Sequence, residues 1–401
     1  MRRYLAIRWG AWGDMMYALP ALEALRKECD YLHLETGDRG RVLFEHHPVF
    51  DRITTFDISK YKPESQEAVA KVRWDTLGEV AWDKAVNFWR CLEVSCIAEE
   101  WQEDFFLPRE RRVAKFGGQN FYDTHFEAAQ IPVPDPFDCG TMYFGEENLY
   151  WMDHWRKRHG DRFVVAFALA GSTPQKVPMY LKALAQEIRS AHPDTLFVLL
   201  GDKLGKKQEF SFGDKSVCVA ADSWTYMQSL SMVKMADYVI GPETSLLVGA
   251  GLFGTPKSMI CTSCSVSQAT THHKNDFSVQ STAACSPCHR AVYNPKWCNY
   301  RDHPLGQVPA CNFMVDFKPI MEGVAFAREC FVRGVRKTVE RFDGPGFSSL
   351  PEMQPLLDSQ GDRDEEVRQG ILPEVRELCQ DTVRRGDKPI KVGDDFKVSE
   401  R

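Results

Sequence analysis

The stretch that most constrains this chain is residues 236–256, Ala236-Asp-Tyr-Val-Ile-Gly-Pro-Glu-Thr-Ser-Leu-Leu-Val-Gly-Ala-Gly-Leu-Phe-Gly-Thr-Pro256. Tyr238, Val239 and Ile240 form a short apolar run closed by Gly241-Pro242, which reads as a buried strand ending in a turn. Glu243, Thr244 and Ser245 then precede an apolar run, 246–253, that carries Gly249, Ala250 and Gly251. This is a helix whose start offers hydroxyls and unpaired backbone N–H groups, and whose small residues allow close packing on a sheet. Such a strand–turn–helix unit sets the helix N-terminus at the carboxyl edge of a parallel sheet, where phosphate groups bind. An ordinary βα turn of a doubly wound domain is the other reading of the same residues.

The rest of the chain repeats the alternation. Residues 4–9 read as a first strand, and Gly10-Ala-Trp-Gly-Asp14 as the loop at its carboxyl end. From Met15 the pattern turns helical, with Pro20 expected in a first turn. This G-x-x-G-D loop is neither a Walker A loop nor G-x-G-x-x-G, and a tight turn alone would explain both glycines. Further strands are expected at 32–35, 52–56, 84–88, 163–168 and 195–201, the last two continuous and apolar as in a sheet buried on both faces. Helices are expected at 146–159, 179–191, 224–234 and 318–341. The region 89–117 is aromatic and charged, and suits either an acceptor surface or buried aromatic packing. Proline-rich 131–136 punctuates the first half, which places a boundary near 140–160. The expected domains are 1–150 and 151–341, with a tail over 342–401 rich in Gly, Pro, Ser and charge that carries one short helix around 373–384. Two doubly wound, Rossmann-like α/β domains facing a cleft constitute the GT-B architecture.

A length of 401 residues suits two domains with cores that need no disulfides. The formal net charge of −6 argues against a protein held on nucleic acid by bulk charge. No apolar run approaches the ~20 residues of a membrane span, and no secretory core follows the basic start, so a cytoplasmic location is expected. Of the 13 cysteines, six fall in one cysteine-rich segment, 261–316. In a reducing compartment a local cluster points to metal ligation before disulfides. Cys285, Cys288, Cys298 and Cys311 form a C-x2-C-x9-C-x12-C array, whose four thiolates suit a tetrahedral structural site for zinc or iron. Cys261 and Cys264 make a second CxxC at a strand's end, as packing, a rival ligand pair or an incidental match. His272, His273 and His289 read more readily as solvated loop histidines than as substitute ligands.

Three motifs carry a family resemblance. Arg8-Trp9-Gly10, Gly13-Asp14 and Pro20-Ala21-Leu22 match, in order and spacing, the opening of glycosyltransferase family 9, which contains the heptosyltransferases. The 236–256 stretch resembles that family's C-terminal signature, with Glu243, Ser245 and Val248 standing where better-known members have Asp, Gly and His. The cysteine segment resembles one found in a branch of the family. The resemblance implies an inverting transfer of a sugar, possibly heptose, from a nucleotide-diphosphate sugar, ADP-heptose or another, to a glycan, protein or other hydroxyl acceptor. It implies that Lys176 contacts the donor's phosphates. Gly13, Ser172, Glu243, Thr244 and Ser245 are the other expected donor-side residues, and Asp14 is the expected base. No catalytic divalent metal is expected if Lys176 and backbone dipoles neutralise the leaving diphosphate. A rival from another class is a non-catalytic binding protein whose cysteine module docks protein or nucleic acid beside a degenerate cleft, and Val248 in place of His is its best support.

Overall fold

The computed structural model describes residues 1–335 apart from 79, 101, 293–297 and 299–308. The expected tail over 342–401, its short helix, and residues 336–341 of the expected last helix lie outside the described residues.

Two separate parallel sheets are present. The first contains Arg3–Arg8 (β1), Tyr31–Thr36 (β2), Arg52–Thr55 (β3) and Lys84–Asn87 (β4), in the order β3-β2-β1-β4. The second contains Val164–Ala168 (β5), Leu196–Leu200 (β6), Val217–Val219 (β7), Tyr238–Pro242 (β8), Lys257–Cys261 (β9) and Val279–Gln280 (β10), in the order β10-β9-β8-β5-β6-β7. Every residue of β5, β6, β8 and β9 is buried, because helices cover both faces, and this is why those strands read as unbroken apolar runs. The Glu146–His159 helix leads into β5, and the second half then alternates strand and helix as expected. Two facing doubly wound units of the GT-B type are what the chain forms. Among the described residues no helix is long and apolar enough to cross a membrane.

One apolar cluster joins the halves. The Trp12–Glu28 helix supplies Met15, Met16 and Leu19, and the Ser245–Phe253 helix supplies Leu247 and Ala250 to the same core. Gly249 lets the Ser245–Phe253 helix lie close on the Tyr226–Met235 helix of its own half. A Cβ there would lie 2.5 Å from Leu230 Cδ1 and 3.7 Å from Met16 Sδ. The small residues noted in the sequence are therefore a packing surface between helices.

Some local expectations are corrected. The first long helix begins at Trp12, not Met15, so Pro20 sits in its interior and denies the carbonyl one turn back its usual donor. The last helix ends at Val332. The short edge strands β7 and β10 carried too little pattern to be read. The segment after Lys257 is still sheet as far as Gln280, and only then departs from it.

Candidate active site

In each sheet the chain lays down one strand, builds outward on one side, and later returns to the other side of the first strand. That reversal opens a crevice at the carboxyl ends of β1 and β4 in the first sheet and of β5 and β8 in the second. The loops after these four strands carry Asp14, Glu93, Lys176 and Glu243. The two crevices face each other. A Cβ on Gly13 would stand 3.6 Å from the Ser245 Cα, and the rings of Trp12 and Tyr226 stack with centroids 3.8 Å apart.

On the first side, Ala11 begins the helix and Asp14 occupies its first turn. Asp14 Oδ2 accepts the Ala11 N–H at 3.1 Å and faces the Arg8 Nη2 at 3.5 Å. Arg8 is wholly buried, and its Nη1 donates to the Trp9 carbonyl at 2.9 Å. Asp14 therefore does cap its helix, from within the first turn, and does so with one oxygen. Its Oδ1 has no protein partner among the described residues, and the side chain stays 27% exposed. Sequence reasoning did not single out Glu93, on the short Cys91–Ser95 helix after β4. Its Oε2 is buried without a hydrogen bond. Burial pushes this carboxyl up to about 7, against the pull of Arg8 and with a further push from Asp14.

The second side is more tightly tied. The Gly171 N–H donates to the Lys176 carbonyl at 2.7 Å and the Lys176 N–H to that of Thr173 at 2.9 Å, which closes the loop after β5. A Cβ on Gly171 would come within 2.6 Å of the Lys176 Cβ, so the loop requires glycine there. Glu243 Oε1 accepts backbone N–H bonds from Thr262 at 2.6 Å, Ser263 at 2.9 Å and Cys264 at 3.1 Å. Its Oε2 accepts the Ser263 hydroxyl and faces Lys176 Nζ at 3.5 Å. Burial alone would lower the Lys176 pKa, yet Glu243, Cys264 and Asp14 together hold it above its ordinary value. Thr244 precedes the Ser245–Phe253 helix without capping it through its side chain. The hydroxyls of Thr244 and Thr173 are buried without partners, whereas Ser172 is exposed.

Cys285, Cys288, Cys298 and Cys311 are near enough to feel one another's charge, but among the described residues their sulfurs do not form a compact ligand group. Burial first, then Cys288 and Cys298, push the Cys285 thiol up to about 11, and burial with the same neighbours and Cys285 pushes Cys311 higher still. The compact ligand group among the described residues is a different one: the donor atoms of Glu243, Cys261 and Cys264 all lie within 4.8 Å of one another. Cys264 donates its thiol to Glu243 Oε1 at 3.3 Å, so this CxxC buttresses the carboxylate. The histidines are not solvated loop residues. His272 meets Asp123 Oδ1 at 2.9 Å, His273 meets the Tyr122 hydroxyl at 2.7 Å, and His289 is fully buried.

The cysteine segment also braces the Lys176 loop. Asn312 Nδ2 donates to the Pro174 carbonyl at 2.7 Å, Gln175 Nε2 to that of Ala291 at 3.2 Å, and Thr262 Oγ1 to that of Gln175 at 3.2 Å. Within 89–117, Phe105 and Phe116 are buried against Ala98 and Val292, and Phe106 is exposed.

No family model matches the chain, and no curated protein matches it. Solved structures do. A glycosyl transferase family 9 protein from Veillonella parvula DSM 2008 is similar at 13% identity, with a TM-score of 0.57 over 83% of this chain and 98% of that one. The ADP-heptose lps heptosyltransferase II of E. coli is similar at 12% identity and TM-score 0.47, over 70% of this chain and 90% of that one. The iron-containing dodecameric glycosyltransferase TibC of enterotoxigenic E. coli H10407 is similar at 10% identity and TM-score 0.49, over 83% of this chain and 80% of that one. The fold is thus like that of a family 9 glycosyltransferase, as the three motifs implied.

Proposed function

We propose that the chain is an inverting glycosyltransferase that moves a sugar from a nucleotide-diphosphate donor to an acceptor hydroxyl. The observation that carries this reading is the confrontation of the two crevices: a carboxylate with one free oxygen on one side, and a buried ammonium beside a helix start on the other. The donor's diphosphate lies against the backbone N–H groups at the start of the Ser245–Phe253 helix, with Lys176 as counter-charge and the Thr244 hydroxyl as a donor. An ammonium has three donors, and pairing with Glu243 leaves two for phosphate oxygens. Glu243 acts indirectly, by holding Lys176 and the loop 262–264 in place. Asp14 Oδ1 accepts the acceptor's proton as that oxygen bonds to the sugar's anomeric carbon, while the bond from that carbon to the diphosphate breaks and its electrons leave with the phosphate. ADP-heptose is one donor class to test, as the resemblance to the heptosyltransferase family implies.

Cys285, Cys288, Cys298 and Cys311 suit a thiophilic metal by their donor chemistry and their spacing in the sequence, and would hold zinc or iron as a structural cross-link.

Calorimetric titration with ADP-, UDP-, GDP- and CMP-sugars tests the donor site. One class should bind, and Lys176→Ala should weaken it by roughly 10–100-fold, the loss of a charged hydrogen bond, with Thr244→Val a milder loss. Binding by none of the four, or unchanged affinity in both variants, would move the site or favour the non-catalytic reading.

A further inference from the structure

Residues 262–291 are bonded on one side to the loops that carry Lys176 and Glu243, and on the other to the first half. In the short Pro174–Lys176 turn, Gln175 is only 5% exposed, and its Nε2 donates to the Ala291 carbonyl at 3.2 Å. The Ala291 N–H continues to the Ala98 carbonyl of the first half, and the Ala98 N–H returns to the His289 carbonyl, each at 2.9 Å. A second chain of bonds runs beside this one. The Thr262 N–H donates to Glu243 Oε1 at 2.6 Å, the Ser286 hydroxyl to the Thr262 carbonyl at 3.0 Å, and Arg109 Nη2 to the Ser286 carbonyl at 2.8 Å. Both chains begin beside Lys176 and end at residues 98–109.

Peptide groups that donate at one end and accept at the other polarise each other, so such chains are stiffer than their separate bonds. Gln175 is the side chain that joins the Lys176 turn to the first of them. Its Oε1 is buried without a partner. Packing alone would be served better by an apolar side chain, since a buried amide oxygen left unpaired costs free energy. We propose that Gln175 is a positioning residue, tying Lys176 through Ala291 and Ala98 to the first half, so that the phosphate-side loop and residues 96–112 shift together. A ligand that draws the Lys176 turn toward itself then moves 96–112 as well. By linkage, a change at 96–112 alters affinity at Lys176. That reciprocal effect rests on the donor site proposed above.

Hydrogen exchange of the full chain tests the tie with no ligand present. Gln175→Met removes the donating amide at similar length, and Gln175→Glu keeps the shape but sets an oxygen against the Ala291 carbonyl. Both should speed exchange at the amides of Ala98 and Ala291 by roughly 2- to 30-fold, the range that changes within a coupled network produce, while β5 stays protected. Calorimetry with ADP, UDP and GDP tests the reciprocal effect. Arg109→Met cuts the second chain from the opposite wall, and should weaken whichever of the three binds by a factor in the same range. Unchanged exchange at Ala98 and Ala291 in both Gln175 variants overturns the proposal. So does a nucleotide that binds the unaltered chain and Arg109→Met equally well. If exchange responds but none of the three binds the unaltered chain, the tie stands and the donor reading falls. Should one Gln175 variant not fold, the other and the half-buried Arg109 decide.

Discussion

Glu243 and Asp14 are both carboxylates at the crevice of a parallel sheet, yet the chain treats them differently. Glu243 has both oxygens occupied, by three backbone N–H groups, a hydroxyl, a thiol and an ammonium. A carboxylate gripped so completely by fixed donors is held in place and has no oxygen left to take a proton, which suits a frame. Asp14 has one oxygen committed to Ala11 and Arg8 and the other without a protein partner, in a side chain that solvent reaches. On the proposed reading the second half positions charge and the first exchanges a proton. Rigidity and chemistry sit on opposite walls.

Three results would break or sharpen that contrast. The largest expected effect is on transfer: Asp14→Asn keeps a helix cap but not a base, so the rate should fall by roughly 10²–10⁴-fold with fold and donor affinity intact. A near-normal rate in steady-state assays would reduce Asp14 to a cap. Glu243→Ala should act on the fold instead. It strands three N–H groups and a largely buried ammonium, and should cost about 3–5 kcal/mol in a denaturant titration; a loss below about 1 kcal/mol would mean Glu243 is no frame. The smallest effect concerns Glu93. A carboxyl raised from 4.5 to about 7 on folding favours the native state when protonated, and this advantage is lost as pH rises through that window. Relative to Glu93→Gln, the unaltered chain should therefore lose thermal stability from about pH 4.5 to about pH 7 and hold a constant difference above it. A flat difference across the whole range would place Glu93 in ordinary solvent.

Much of the frame was legible because buried parallel strands announce themselves as apolar runs, as at 196–200 and 238–240. Asp14 and Lys176 stood out through the family resemblance, and each does follow such a strand at a glycine-bearing turn. The start of the first helix at Trp12 was not, since Ala11 gives no capping signal and Pro20 imitates a helix beginning. The ties of Glu243 to 262–264 were not legible, because those partners lie on the next strand's loop, out of reach of any local pattern. Glu93 meets Arg8 and Asp14 only through the pairing of β1 with β4. The aromatic and charged stretch 89–117 left two readings open, and Phe105 and Phe116 prove to be packing for the cysteine segment. Its arginines point at carbonyls more than 170 residues away in sequence.

The stack of Trp12 on Tyr226 bears on populations as well as shape. An aromatic pair adds about 0.5–1.5 kcal/mol beyond the area it buries, which amounts to roughly a 2- to 13-fold preference for the conformation that makes it. That increment is small beside the apolar core shared by the Trp12–Glu28 and Ser245–Phe253 helices, so the stack tunes the mouth of the cleft and does not by itself hold the halves together.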